Sequence, residues 1–239
     1  MSQLLSEDVI AVPPLSLRDI EKRAAEVRTL LVSLTRPDGA ALPWDLLVDR
    51  HLPRAGLLFY PASGAELRDC EAATDPSGET SIHILMRAEL YEALTDPGPG
   101  GNRARATVAH ELGHAVLHVP YIRQQRKRGQ EKTLVRVTRA QLAPYRDPEW
   151  QAWAFAGCLL MPRTSLESML GRSLVEVSRA HGVSSQFAAA HCARLKVPVG
   201  AVEPENDKTS MHVGARGVEA PLLLARRSQT SIARNPRER

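Results

Sequence analysis

One stretch constrains this chain more than any other: Thr107-Val108-Ala109-His110-Glu111-Leu112-Gly113-His114-Ala115-Val116-Leu117-His118. Its flanks are apolar and free of proline, and Gly113 is the only weak helix former before Pro120 stops the run, so the spacing predicts a helix. On a helix, the pattern H-E-x-x-H at residues 110–114 sets two imidazoles one turn apart, where both can reach a single zinc ion. Glu111 follows the first histidine directly and so points beside such an ion, where a carboxylate can take a proton from water. The competing reading is an amphipathic helix whose histidines merely face solvent. A third donor decides between the two.

His118 lies four residues beyond His114 on the same face, but geometry argues against it as that donor. His110 and His118 are separated by about 12 Å along the axis at 1.5 Å per residue, too far for both rings to sit about 2.1 Å from one tetrahedral ion with His114. His118 therefore reads as a packed residue or one that supports a ligand. The longer pattern H-E-x-x-H-x-x-G-x-x-H also fails, because Leu117 and Pro120 stand where its glycine and last histidine belong. What remains is a carboxylate from a later helix.

Residues 147–162 supply such a helix. Asp147 can cap it, Pro148 suits its first turn and Pro162 ends it. Ala152, Phe155, Ala156, Leu159 and Leu160 form one apolar stripe, with Glu149 one turn ahead on the same face. A carboxylate on a buried face is costly to leave unpaired, and a cation would satisfy it. Alternatively, Glu149 is an N-terminal carboxylate stabilised by the helix dipole alone.

Residues 103–118, followed by Glu149-x-x-Ala152-x-x-Phe155-Ala156-x-x-Leu159-Leu160-Met161-Pro162, resemble the ImmA/IrrE family of bacterial metallo-endopeptidases. That family pairs an H-E-x-x-H helix with a glutamate just ahead of an Ala…Phe-Ala…Leu-Met-Pro helix. The resemblance covers about residues 15–200 and is strong over the two motifs. It implies His110, His114 and Glu149 as metal ligands and Glu111 as general base; the ion expected from the motif is zinc, with manganese as the alternative. It also implies a protein substrate: a partner helix-turn-helix repressor cut in a stress or mobile-element response. Two positions depart from the family's habit. Trp153 stands where a small polar residue, often Asn, is usual, and Ala106 where an aromatic is usual. Both bear on the surroundings of the ligands rather than on the ligands themselves.

At 239 residues and 43% hydrophobic content, the chain can bury a substantial core. Residues 1–15 lack the basic start and continuous apolar core of a signal peptide, and no run of about 18 apolar residues exists to span a membrane. The expected location is the cytoplasm. Cys70, Cys158 and Cys192 are odd in number and widely spaced, which argues against a disulfide framework and against a cysteine metal site.

Elsewhere, Ser16-Leu17-Arg18-Asp19 resembles a capping box with Asp in place of Glu, and Ile20, Ala24, Val27, Leu30, Leu31 and Leu34 recur behind it at helical spacing. Residues 37–39 break that helix, and a short second one is expected from Pro43 to before Pro53. Residues 56–60 read as a buried strand and residues 81–86 as another, with 75–78 as a turn; His83 is read as a surface strand residue. The strand at 82–86 is expected at a sheet edge, where a substrate backbone could add to it. Residues 97–101, Pro-Gly-Pro-Gly-Gly, read as a flexible loop and cleft rim.

Residues 123–139 carry seven cations against Glu131 alone, enough to account for the net charge of +4. Without interleaved aromatics for base stacking, the run reads as a solvated loop or a surface that steers an acidic partner, ahead of direct nucleic-acid binding. Residues 173–196 have the outline of a helix-turn-helix around Gly182, but the second helix offers few basic or amide side chains for base edges, so a packing role is expected.

The expected fold is α+β, a small antiparallel or mixed sheet packed with a zinc-binding helix bundle and a C-terminal helix-turn-helix-like hairpin. The expected organisation is an N-terminal arm at 1–15, a metallopeptidase domain at 16–200 and a disordered tail at 201–239. Within the domain lie the zinc helix at about 103–119, the third-ligand helix at about 148–161 and the hairpin at about 173–196. A DNA-binding regulator and a catalytically silent interaction module are the rival readings. Tyr121, Tyr145 and His212 are candidate oxyanion donors, none with a spacing argument.

Overall fold

The computed structural model describes residues 8–37, 41–68, 70–129, 136–138 and 142–200. Strand β1 (Asp8–Ile10) leads to helix α1 (Leu17–Thr35). The capping box at its start forms with Asp in the usual Glu position: the Ser16 hydroxyl accepts from the Asp19 N–H at 3.2 Å and the Asp19 carboxylate accepts from the Ser16 N–H at 3.3 Å. The helix closes at Arg36, in the left-handed conformation with φ of 47°. Helix α2 (Trp44–Leu46) continues into a wider π-helical turn through His51, which is the short second helix expected before Pro53.

Strands β2 (Leu57–Ala62), β3 (Ala72–Asp75) and β4 (Ile82–Arg87) form a mixed sheet in the order β2-β4-β3, with β4 parallel to β2 and antiparallel to β3. Three details correct the sequence reading. The strand at 82–86 is central, not an edge, because both its neighbours hydrogen-bond to it; it cannot take a further strand. The strand read as buried at 56–60 is itself an edge, with Phe59 buried but Tyr60 42% exposed. β3 carries mostly small residues and gave no strand signal, yet Ala72, Ala73 and Thr74 are all buried.

Helix α3 (Ala88–Glu92) precedes the motif helix α4 (Pro99–Leu117). The Pro-Gly-rich segment 97–101 is therefore not a free loop. Gly98 caps α4, its N–H donating to the Asp96 carboxylate at 2.7 Å, and Pro99 takes the first helical position, where its missing N–H costs nothing. Helix α5 (Val119–Lys127) follows at once and absorbs the first half of the basic run. Arg123 donates to the carbonyls of Pro76 (3.3 Å) and Ser81 (2.6 Å), and Arg126 to Pro76 (3.2 Å), so these cations tie α5 to the β3–β4 turn and are not simply solvated. Strand β5 (Arg136–Thr138) pairs antiparallel with β1; residues 130–135 and 139 of the run lie outside the described residues.

The chain finishes with α6 (Pro148–Leu160), α7 (Arg163–Ser168), α8 (Leu174–His181) and α9 (Ser185–Leu195). The last two flank Gly182 as the sequence suggests, while the expected tail at 201–239, with His212, lies outside the described residues. α6 packs against α1, α4 and α9 and is buried almost all round, not along one stripe: Ala154 and Cys158 are as closed to solvent as Phe155 and Leu159. Side chains such as Phe155 and Leu159 each contribute about 1.5–3 kcal/mol by leaving water.

Two glycines let this helix be approached so closely. A methyl group at Gly113 would lie 3.0 Å from both the Cα and the carbonyl oxygen of Ala152, so α4 and α6 touch backbone to backbone at the motif. A methyl at Gly157 would collide with the ring of His191 on α9. The one weak helix former in the motif thus sits where the two helices meet.

Candidate metal centre

His110 and His114 leave α4 toward Glu149 in the first turn of α6, and Glu111 leaves it toward Thr74 of β3. Asp147 fixes that turn, accepting from the Glu149 N–H at 2.9 Å, and Pro148 follows it at the first helical position. All four side chains are nearly closed to solvent: His110, Glu111 and His114 are each 1% exposed and Glu149 5%.

His110 Nε2 lies 3.0 Å from His114 Nε2, His110 Nε2 is 3.2 Å from Glu149 Oε2, and His114 Nε2 is 3.3 Å from Glu149 Oε1. Despite that proximity, Glu149 Oε2 makes no hydrogen bond, and neither does Glu111 Oε1. Burying bare carboxylate oxygens and bringing two imidazole nitrogens face to face is costly unless a cation gathers the lone pairs. Four donors around one ion at about 2.0–2.1 Å in a tetrahedron lie about 3.3 Å apart, and the observed separations are of that size. Two imidazoles and one carboxylate are also the donor chemistry that suits a first-row divalent ion. The cluster of His110, His114 and Glu149 fits a metal on both counts.

Burial alone would raise the Glu149 carboxyl, but the facing imidazoles of His114 and His110 outweigh it and hold the group well below the usual carboxylate range. Glu111 goes the other way. Burial pushes it up to about 7, against the opposing pull of His114 and of the Thr74 hydroxyl. Thr74 donates to Glu111 Oε2 at 2.6 Å. Two carboxylates one helix contact apart are thus set to different protonation behaviour by their surroundings.

His118 is buried, as expected of a packed residue: its Nδ1 lies 3.0 Å from His114 Nδ1 and its Nε2 3.1 Å from Gln151 Oε1. Burial, then the neighbouring His114, depress its pKa to about 3, so it is neutral. Trp153 packs over His110 with ring centroids 4.2 Å apart and reaches Phe187 of α9 at 6.1 Å, so it walls the cluster of His110, His114 and Glu149 on that side.

Sequence reasoning missed Thr74 and Gln151. Thr74 sits in a strand of small residues with no periodic signal, and Gln151 is marked only by lying two residues past Glu149 among apolar neighbours. Of the proposed oxyanion donors, Tyr145 is 50% exposed. Tyr121 instead lines a cavity of about 610 Å³ with Pro13, Arg23, Val116, Arg123 and Gln151, and that cavity does not include His110, His114 or Glu149 in its wall.

A buried two-histidine, one-glutamate cluster on facing helices, with a second glutamate beside it, is the donor arrangement of metallopeptidases built on an H-E-x-x-H helix. Residues 101–193 match the model of the IrrE N-terminal-like domain, Peptidase_M78, which establishes the ImmA/IrrE resemblance over that segment. No curated protein matches the chain. Among the described residues, no helix is long and apolar enough to cross a membrane.

Proposed function

We propose that this protein is a cytoplasmic zinc endopeptidase that cuts a partner transcriptional repressor. The observation that carries the catalytic part is the pairing of a lone-pair cluster, His110, His114 and Glu149, with a neighbouring carboxylate, Glu111, that has one oxygen held and the other free. His110, His114 and Glu149 hold the ion in this reading, and zinc suits two imidazoles and a carboxylate better than manganese does. When bound, such an ion polarises a carbonyl and lowers the pKa of water.

The remaining chemistry belongs to the chain. Thr74 fixes Glu111 Oε2, which leaves Oε1 to take a proton from the attacking water and to hand it to the amide nitrogen as the C–N bond breaks. A carboxyl raised to about 7 can both accept and release a proton near neutral pH. Trp153 over His110 helps keep bulk water from the cluster. The repressor as substrate rests on the family resemblance alone.

The DNA-binding alternative finds less support. Part of the basic run is spent on the Pro76 and Ser81 carbonyls, and the exposed side chains along α9 include Ser184, Ser185, Gln186, Ala190 and Ala193 but few donors for base edges.

The test is co-expression with the regulator encoded beside this protein, comparing wild type with Glu111→Gln by mass spectrometry of fragments. Fragments with wild type, and an intact regulator with Glu111→Gln that still binds one zinc, support the proposal. A regulator left whole by wild type under resting and DNA-damaging conditions overturns the substrate. Fragments from both proteins overturn the role of Glu111.

A further inference from the structure

Behind the ligand cluster runs a chain of buried polar groups whose hydrogen bonds have one consistent direction. It begins at the amide of Gln151, which is 0% exposed. Gln151 Nε2 lies 3.0 Å from the Pro13 carbonyl and 2.8 Å from the Tyr145 carbonyl. Both of these groups can only accept, so the NH2 must face them and the amide oxygen must face the other way. That oxygen lies 3.1 Å from His118 Nε2. Because an amide oxygen only accepts, His118 carries its proton on Nε2, and a neutral His118 then presents a lone pair at Nδ1. His118 Nδ1 in turn lies 3.0 Å from His114 Nδ1, so His114 must donate there. With its proton on Nδ1, His114 has a lone pair on Nε2, the atom that faces His110 and Glu149.

No such chain stands behind His110. Its Nδ1 is buried and makes no hydrogen bond, while its Nε2 faces the His114 Nε2 lone pair at 3.0 Å and Glu149 Oε2 at 3.2 Å, two acceptors that draw its proton to Nε2 in the metal-free chain. The two histidines of the motif are therefore unequal. One is held from outside the cluster with its Nε2 lone pair ready, and the other is directed only by its fellow donors, which favour a proton on the Nε2 that a metal would need.

We propose that Gln151 is a positioning residue that acts through His118 to lock His114 in its metal-binding tautomer, which makes His114 the preset ligand and His110 the one that must move its proton. The anchor of this chain lies outside both motif helices' ligands: it is two main-chain carbonyls, one ahead of α1 and one ahead of α6. Ordering of those segments is thereby coupled to the readiness of the ligand. The inference rests on the metal-binding reading for its consequence, but the tautomer itself is a property of the metal-free chain.

The experiment measures both. In metal-free wild type, at a pH above the histidine range, long-range nitrogen–proton correlation spectra report the tautomer of each ring. His114 and His118 are expected protonated on Nδ1 and Nε2 respectively. In Gln151→Met, which has no acceptor for His118, both rings are expected to become tautomer mixtures. Chelator competition then reads zinc affinity, expected to fall about 10–100-fold in Gln151→Met and in His118→Phe, as for other groups that orient a ligand, with little further loss in the double variant. His114 protonated on Nε2 in wild type overturns the proposal, whether or not any variant folds. So does a folded Gln151→Met with wild-type affinity. Absence of zinc binding by wild type overturns the metal reading instead, and leaves the tautomer spectra to judge the relay.

Discussion

Thr74 donates its hydroxyl to Glu111 Oε2 across 2.6 Å, and both side chains are 1% exposed. A hydrogen bond to a buried charge is worth about 1.5–3 kcal/mol, and here it also decides which oxygen remains available for proton transfer. Thr74→Ala is expected to lower kcat of peptide cleavage roughly 10–100-fold by that magnitude, with little change in KM. Thr74→Ser keeps the hydroxyl and is expected to restore most of the rate. Equal rates for Thr74→Ala and wild type would remove Thr74 from the account.

One ion per chain is expected by elemental analysis. His110→Ala, His114→Ala and Glu149→Ala should each abolish it, whereas His118→Ala should keep one ion at saturating zinc. An ion bound only by the folded chain, at about 100 times its dissociation constant, would add about 2.7 kcal/mol. At roughly 2–4 °C per kcal/mol for a chain of this size, a chelator should lower the melting temperature by about 5–10 °C. Full occupancy in Glu149→Ala would sink the third-ligand assignment.

His191 gives a pH dependence away from the metal cluster. Burial, and then Arg194, lower its pKa from 6.5 to about 4, while its Nε2 contacts the Met161 carbonyl at 3.1 Å. Between those two values the unfolded chain binds a proton that the folded chain does not, so this contribution is complete above 6.5 and is lost as pH falls toward 4. It amounts to about 3 kcal/mol at most. Urea unfolding of the metal-free protein, compared at neutral and mildly acidic pH, should show a shallower acid loss in His191→Gln than in wild type. Parallel pH profiles would count against it.

Gly113→Ala tests the contact between the motif helices. The added methyl meets the Ala152 backbone at 3.0 Å, and overpacking of this kind costs about 1–3 kcal/mol. Because the donors ride on the same two helices, the variant should also bind zinc more weakly, which isothermal titration would show. A stable Gly113→Ala protein with unchanged affinity would mean that α4 and α6 can separate without moving the donors.

The helices that carry the donors could be read from the chain because caps, prolines and apolar spacing agree there. Asp147 and the H-E-x-x-H run each mark their helix locally, as Ser16 does for α1. What sequence hid was long-range. β3 is made of small residues that signal no strand, so the hydroxyl that holds Glu111 had no address, and the centre of the sheet was mistaken for its edge. The Pro-Gly run at 97–101 was misread because the same residues that break helices also begin them. Gln151 was overlooked because its partners, Pro13 and Tyr145, come from distant segments.

The backbone contact at Gly113 and Ala152 also bears on which ions the cluster can accept. Helices that touch without intervening side chains are held at a separation set by main chain, and His110, His114 and Glu149 ride on those two helices. Such a cradle discriminates by radius. Calcium, which takes its ligands at about 2.3–2.6 Å and prefers six or more oxygens, would have to pry α4 from α6 to enter, whereas an ion with bonds near 2 Å would suit donors that already lie 3.0 to 3.3 Å apart.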